Sequence, residues 1–320
     1  MSASPSNDAT PNLVVTLLAP HLTAPMQVAV EQLLVQHGLV VRHVERLATA
    51  GSDGTGLCCD GLELWVSGEP PDSDALRREM LSLGAEQGMD IVMQAENGWR
   101  HRRRLVCFDM DSTLIKAEVI DELARRHGVY DEVAAVTERA MRGEIDFQQS
   151  FRERMSKLAG LDESVLQEIA DGLELMDGVE TLMCHLKRLG YRTAILSGGF
   201  SWFARYLQQR LGVDEVHANE LLIDARGRVT GEVGEPIVDA ERKAQLLGEI
   251  AARHDIDMAQ TVAVGDGAND LKMLAAAGLG IAFRAKPLVR ERARQSISKS
   301  GLDSILLLLG HHQRELTANA

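Results

Sequence analysis

The run Leu105-Val-Cys-Phe108, followed at once by Asp109-Met-Asp-Ser-Thr113, constrains this chain more than any other stretch. A short uniformly apolar run that stops at an acid reads as a strand buried on both faces, the signature of a parallel sheet. In open α/β sheets, ligands bind in the crevice beyond the carboxyl ends of such strands. Residues i and i+2 of an extended segment point the same way, so Asp109 and Asp111 address one reaction centre. An EF-hand loop is excluded, because position 114 is Leu where that loop needs Gly.

Later stretches repeat the arrangement. Arg192–Leu196 precedes Ser197-Gly-Gly199, and Thr261–Val264 precedes Gly265-Asp-Gly-Ala-Asn-Asp270. Lys243 lies near the start of a helical stretch, Ala240–Ile250, and Leu279–Phe283 is a further strand candidate. Short apolar strands separated by helical stretches predict an α/β fold with a doubly wound parallel sheet. Between the first two strands, roughly residues 118–176, the chain is rich in Glu, Arg, Ala, Leu and Met and has no strand pattern. That predicts an inserted helical cap, a lid that expels water and completes the site.

Each piece has a physical task. Asp109 needs no deprotonation at neutral pH, so it can attack phosphorus directly and form an acyl phosphate. Neighbouring anions need a bridging cation, and Asp266 on its glycine-flanked turn completes an oxygen site suited to Mg²⁺, with Mn²⁺ the alternative. Ser197 and the backbone N–H groups of Gly198 and Gly199 offer donors to phosphoryl oxygens. Lys243 supplies positive charge to the phosphoryl group. Asp111 protonates the leaving oxygen and then activates the hydrolytic water. Taken singly, Asp-x-Asp is a turn or cap, Ser-Gly-Gly a loop, Gly-Asp-Gly a tight turn and Lys243 a solvated side chain. Their conjunction at predicted strand ends selects the catalytic reading.

The set Asp109-x-Asp111-Ser-Thr113, Ser197, Lys243 and Gly265-Asp-Gly-x-x-Asp270 resembles the haloacid-dehalogenase superfamily of phosphotransferases over about residues 105–310. The resemblance implies a Rossmann-like core, Mg²⁺ and an aspartyl-phosphate intermediate. It also implies that Asp111 meets the metal through its backbone carbonyl, and that Asp270 acts just outside the metal's ligands. Within the superfamily, four stretches are similar to the phosphoserine phosphatase family: Phe108-Asp-Met-Asp-Ser-Thr-Leu114 with Glu118, Met141-Arg-Gly-Glu-Ile-Asp-Phe147 through Arg154, Leu196-Ser-Gly-Gly-Phe200 and Val264-Gly-Asp-Gly-Ala-Asn-Asp-Leu271. This similarity implies hydrolysis of O-phospho-L-serine to L-serine and phosphate, the last step of L-serine biosynthesis. Carried over by position, Glu118 binds the substrate ammonium and Arg154 its carboxylate. Met141 and Phe147 form the apolar lid, and Asn269 holds the phosphoryl end. A zwitterion bearing a phosphate dianion does need one anion, one bidentate cation and a phosphate clamp. The residues by themselves also allow Glu118, Arg152 and Arg154 to form surface ion pairs and Met141 and Phe147 to be cap core. A phosphotransferase acting on another amino alcohol, such as homoserine, would share these motifs.

The N-terminal part has a different pattern. After a polar leader (1–11) expected to be disordered, strand-like Leu13–Leu18, helical Pro25–Gly38, strand-like Leu39–Leu47 and Leu62–Ser67, helical Ser73–Gly88 and strand-like Asp90–Ala95 follow in turn. The order β-α-β-β-α-β is ferredoxin-like and resembles an ACT-type α+β regulatory domain over residues 12–96, which implies an amino-acid effector. Alternatively the whole chain is an amino-acid sensor acting through a partner, or the domain is a spacer or a homodimer contact. Residues 97–104 read as a basic solvated linker and 311–320 as a C-terminal tail.

Of the 320 residues 25% are charged, and the net charge of −13 argues against nucleic acid and anionic membrane surfaces as partners. The longest apolar run, Ile305–Leu309, is far short of a membrane span. No signal peptide is evident, and Cys58, Cys59, Cys107 and Cys184 form neither a zinc pattern nor a disulfide framework. The expected location is a reducing cytoplasm.

Overall fold

A computed structural model describes residues 10–51 and 56–317, so most of the expected disordered leader lies outside the described residues. The chain forms two compact units: residues 1–103 with 177–185 and 281–320, and residues 104–176 with 186–280.

In the first unit, β1 (Leu13–Ala19), α1 (Ala24–Gln36), β2 (Val40–Ala48), β3 (Asp60–Ser67), α2 (Ser73–Gln87) and β4 (Asp90–Ala95) follow in the expected order. The strands make an antiparallel sheet in the order β2-β3-β1-β4, the ferredoxin-like arrangement. Local chemistry sets the helix ends. Pro25 lies in the first turn of α1, where its missing N–H costs nothing. Asp72 caps α2 by accepting the Ala75 N–H at 2.8 Å, and Gly88 ends that helix at φ 72°. Val15, Leu17, Val30, Leu34, Leu64, Val66, Leu76 and Met80 belong to the core between sheet and helices.

Strand β1 is buried at six of its seven positions, so the sheet is covered on its other face too. Within the same unit that cover includes Ile305–Leu309, every residue of which is buried. A Cβ on Gly61 would lie 2.5 Å from Leu307 Cδ1. The Gln94 side-chain amide donates to the Leu308 carbonyl at 3.0 Å. The buried Asp90 carboxylate accepts the N–H groups of Ser298, Lys299 and Ser300. Among the described residues no helix is long and apolar enough to cross a membrane.

The second unit begins with β5 (Leu105–Phe108). Four helices then fill the insertion: α3 (Val119–His127), α4 (Tyr130–Met141), α5 (Phe147–Lys157) and α6 (Ser164–Gly172). The chain then runs through α7 (Val179–Arg188), most of which belongs to the first unit, and the second unit resumes with β6 (Arg192–Phe200), α8 (Ser201–Leu211), β7 (Glu215–Asn219), β8 (Leu221–Ile223), β9 (Val229–Val233), α9 (Ala240–Arg253) and β10 (Thr261–Gly265). β5 pairs in parallel with β10 on one side and β6 on the other, and β6 pairs with β7. The fold is therefore α/β with a parallel sheet and a helical insertion, accompanied by a separate antiparallel sheet. This register places Asp109 and Asp266 just beyond β5 and β10, and Ser197 in β6 two residues past the partner of Phe108.

Strands β7 to β9 were not among the expected ones. β7 holds Glu215, His217 and Asn219 and is mostly half-buried, so it lacks the apolar run that marks the central strands. β8 and β9 form an antiparallel pair against which α5 packs.

Candidate active site

Asp109 continues the ladder one residue past β5, its N–H donating to the Val264 carbonyl at 2.9 Å. Its carboxylate is buried beside Lys243, whose Nζ lies 2.8 Å from Asp109 Oδ1 and 2.7 Å from Asp270 Oδ1. Lys243 has no exposed surface. The second Asp270 oxygen accepts the Gly267 N–H at 3.0 Å. Carboxylate oxygens of Asp109, Asp266 and Asp270 come within 4.8 Å of one another. The Thr113 hydroxyl stands 3.4 Å from Asp266 Oδ1.

The electrostatics define what this cluster lacks. Burial, then the Asp270 charge, push the Asp109 carboxyl well above its ordinary pKa, despite the opposing pull of Lys243. Burial also works against the Lys243 charge, but Asp109 and Asp270 outweigh it and raise its pKa. One ammonium therefore leaves the carboxylates short of positive charge. Buried all-oxygen donors at this spacing suit a hard divalent cation such as Mg²⁺. Asp111 is not among the three clustered carboxylates. Its Oδ1 accepts the Val119 N–H at 3.1 Å, at the start of α3. Burial and the nearby Glu118 push its pKa up to about 8.

The glycines after Ser197 are set by close approach. A Cβ on Gly199 would fall 2.5 Å from Asp111 Oδ2, and one on Gly198 would fall 3.1 Å from the Phe147 ring. Ser197 is fully buried, and its Oγ accepts the Gly199 N–H at 2.9 Å. Ser197, Gly198, Gly199, Asp111 and Phe147 are thus brought together.

Glu118 is the N-cap residue of α3 and receives a 2.8 Å hydrogen bond from the Ser112 hydroxyl. Ser112 holds φ at 55°, a left-handed conformation uncommon outside glycine. Arg154 is half-buried. Burial lowers its pKa, while Glu118, Asp121 and Asp111 act in the opposite direction, which places these charges near one another. Arg152 turns away and pairs with Glu235 at 2.5 Å. Phe147 stacks on Phe151 with centroids 6.1 Å apart. Met141, at the end of α4, is 73% exposed, which removes the cap-core reading for it. Asn269 folds its side chain over Gly267.

Sequence reading missed Asn219. It is 2% exposed; its amide donates to the Gly198 carbonyl at 2.8 Å and its oxygen accepts the Val238 N–H at 2.7 Å. It ties the Ser-Gly-Gly turn to the approach to α9. No motif marks it, because it ends a strand with no apolar signature. Thr113 stood inside a recognised motif but had no assigned task.

The haloacid dehalogenase-like hydrolase family model matches residues 103–278. The chain belongs to that family. Phosphoserine phosphatase from Streptomyces coelicolor is 43% identical over 305 residues, spanning 95% of this chain and 72% of the relative. Phosphoserine phosphatase SerB2 from Mycobacterium tuberculosis is 47% identical over 81% of this chain and 63% of its own length. Among solved structures, a probable phosphoserine phosphatase from Vibrio cholerae superposes with a TM-score of 0.73 at 32% identity, over 93% of this chain and 86% of that one. This haloacid dehalogenase-like hydrolase therefore stands with the phosphoserine phosphatases of its family.

Proposed function

We propose that this hydrolase cleaves O-phospho-L-serine to L-serine and phosphate in the cytoplasm, as the last step of L-serine biosynthesis. The observation that carries the reading is the buried Asp109–Lys243–Asp270 cluster with Asp111 packed against Gly199, and Glu118 and Asp111 both act on the Arg154 charge. In this reading Glu118 and Arg154 take the amino-acid end of the substrate, and the phosphorus-directed residues take its phosphate. The relatives' names agree with this reading.

Asp109 attacks phosphorus, and the bond from phosphorus to the serine oxygen breaks as Asp111 donates a proton to that oxygen. Asp111 then takes a proton from water, which attacks phosphorus and releases Asp109 and phosphate. Ser197, the Gly198 and Gly199 N–H groups, Lys243 and Asn269 hold the phosphoryl oxygens. Asp109, Asp266 and the Asp111 carbonyl would hold Mg²⁺ (or Mn²⁺), with Asp270 behind them, and the ion would neutralise phosphoryl charge. Phe147 and Met141 close the apolar lid. Residues 105–310 would carry this activity and residues 12–96 an ACT-like regulatory role with an amino-acid effector, with homodimerisation a further expectation.

Phosphate release from O-phospho-L-serine is expected with Mg²⁺ and is expected to disappear with EDTA. Turnover of other phosphate esters only would discard the substrate assignment. The same assay with added L-serine tests the effector, which unchanged turnover across the titration would discard. Arg154→Lys keeps the charge but loses the bidentate fork. It should raise KM for phosphoserine by about 10- to 100-fold, the worth of roughly 1.5–3 kcal/mol in a charge-assisted contact. O-phosphoethanolamine, which lacks the carboxylate, should be nearly indifferent. Equal losses on both substrates would remove Arg154 from carboxylate binding.

A further inference from the structure

From one face of helix α5 in the cap, two polar contacts reach the segment that leads into α9. Gln148 Nε2 donates to Asp239 Oδ2 at 2.8 Å, and Arg152, one turn later, reaches Glu235 at 2.5 Å. The second contact is exposed at both ends and contributes little. The first is half-buried and charge-assisted, which makes it the stronger. Asp239 has a second task. Its Oδ1 accepts the Arg242 N–H at 2.9 Å and caps α9, the helix that delivers Lys243. Burial disfavours its charge, but the Arg242 N–H and the Gln148 amide outweigh that and hold its pKa low.

These contacts close a ring. Phe147, adjacent to Gln148, sits over Gly198. The Gly198 carbonyl binds Asn219, which also holds the Val238 N–H, and Val238 precedes Asp239. The lid aromatic, the phosphate-facing turn and the start of the lysine helix therefore share one circuit, and Gln148–Asp239 is its joint between cap and core.

We propose that Gln148 and Asp239 form a latch that holds the helical cap closed against the start of the Lys243 helix. Both act as positioning residues. The lid role rests on the reading given above, so the test reads closure without turnover. In the full chain, Gln148→Glu sets two carboxylates face to face. Asp239→Asn keeps an oxygen to cap α9 but offers Gln148 a donor in place of an acceptor. The double variant restores a donor–acceptor pair of reversed polarity.

Amide exchange across Phe147–Lys157 should quicken about tenfold in Gln148→Glu, the scale of one lost charge-assisted hydrogen bond. It should return to within twofold of the parent in the double variant. KM should follow the same pattern, with kcat within twofold. Unchanged exchange in Gln148→Glu, or faster exchange throughout the unit without rescue, would overturn the latch. Since exchange judges the latch whatever the substrate, failure of the phosphoserine reading would show in the turnover assay alone.

Discussion

Replacing Asp109 by Asn is expected to lower turnover of any phosphate ester by about 10⁴-fold or more, the scale seen when a covalent nucleophile is removed. Thermal stability should not fall with it. Burial and the Asp270 charge both work against the Asp109 carboxylate, so a neutral amide relieves repulsion. Lys243 keeps its 2.7 Å contact with Asp270. Calorimetry in EDTA beside a phosphate-release assay reads both effects. A variant that unfolds would assign Asp109 to the framework. One that retains more than a few per cent of activity would remove the nucleophile assignment.

Lys243→Met should differ in kind. Lys243 bridges two buried carboxylates and has no exposed surface. Removing it leaves buried charge uncompensated, at a cost of about 3–5 kcal/mol. The melting temperature should fall by roughly 10 °C for a unit of this size, and turnover by about 10²- to 10³-fold, as for other lost transition-state partners. The opposite stability signs of the two variants separate them. A Lys243→Met protein as stable as the parent would show that the bridge is not what neutralises the cluster.

The contrast bears on what could be read beforehand. Asp109, Ser197 and Asp266 were legible because each follows a short, mostly apolar run, and burial on both faces writes itself into composition. Lys243 was legible only through its company. The element order of the first unit followed from periodicity and punctuation, with Pro25 and Gly88 marking helix ends. Asn219 and the β7–β9 region were not legible, since a half-buried strand carrying Glu215 and His217 has neither a continuous nor a clean alternating pattern. Nor did periodicity foretell that Ile305–Leu309 would cover the first unit's sheet, because partners so far apart in sequence leave no local signal.

That last feature sets an order of events during synthesis. The sheet built from Leu13 to Ala95 leaves the ribosome with one apolar face uncovered, since its cover, Ile305–Leu309, is translated long after Ala95. At about 5–20 residues per second, the wait lasts roughly 10–40 seconds. During that interval the nascent N-terminal unit is a client for chaperones, and a chain that stalls short of residue 305 keeps the exposed face that quality control recognises.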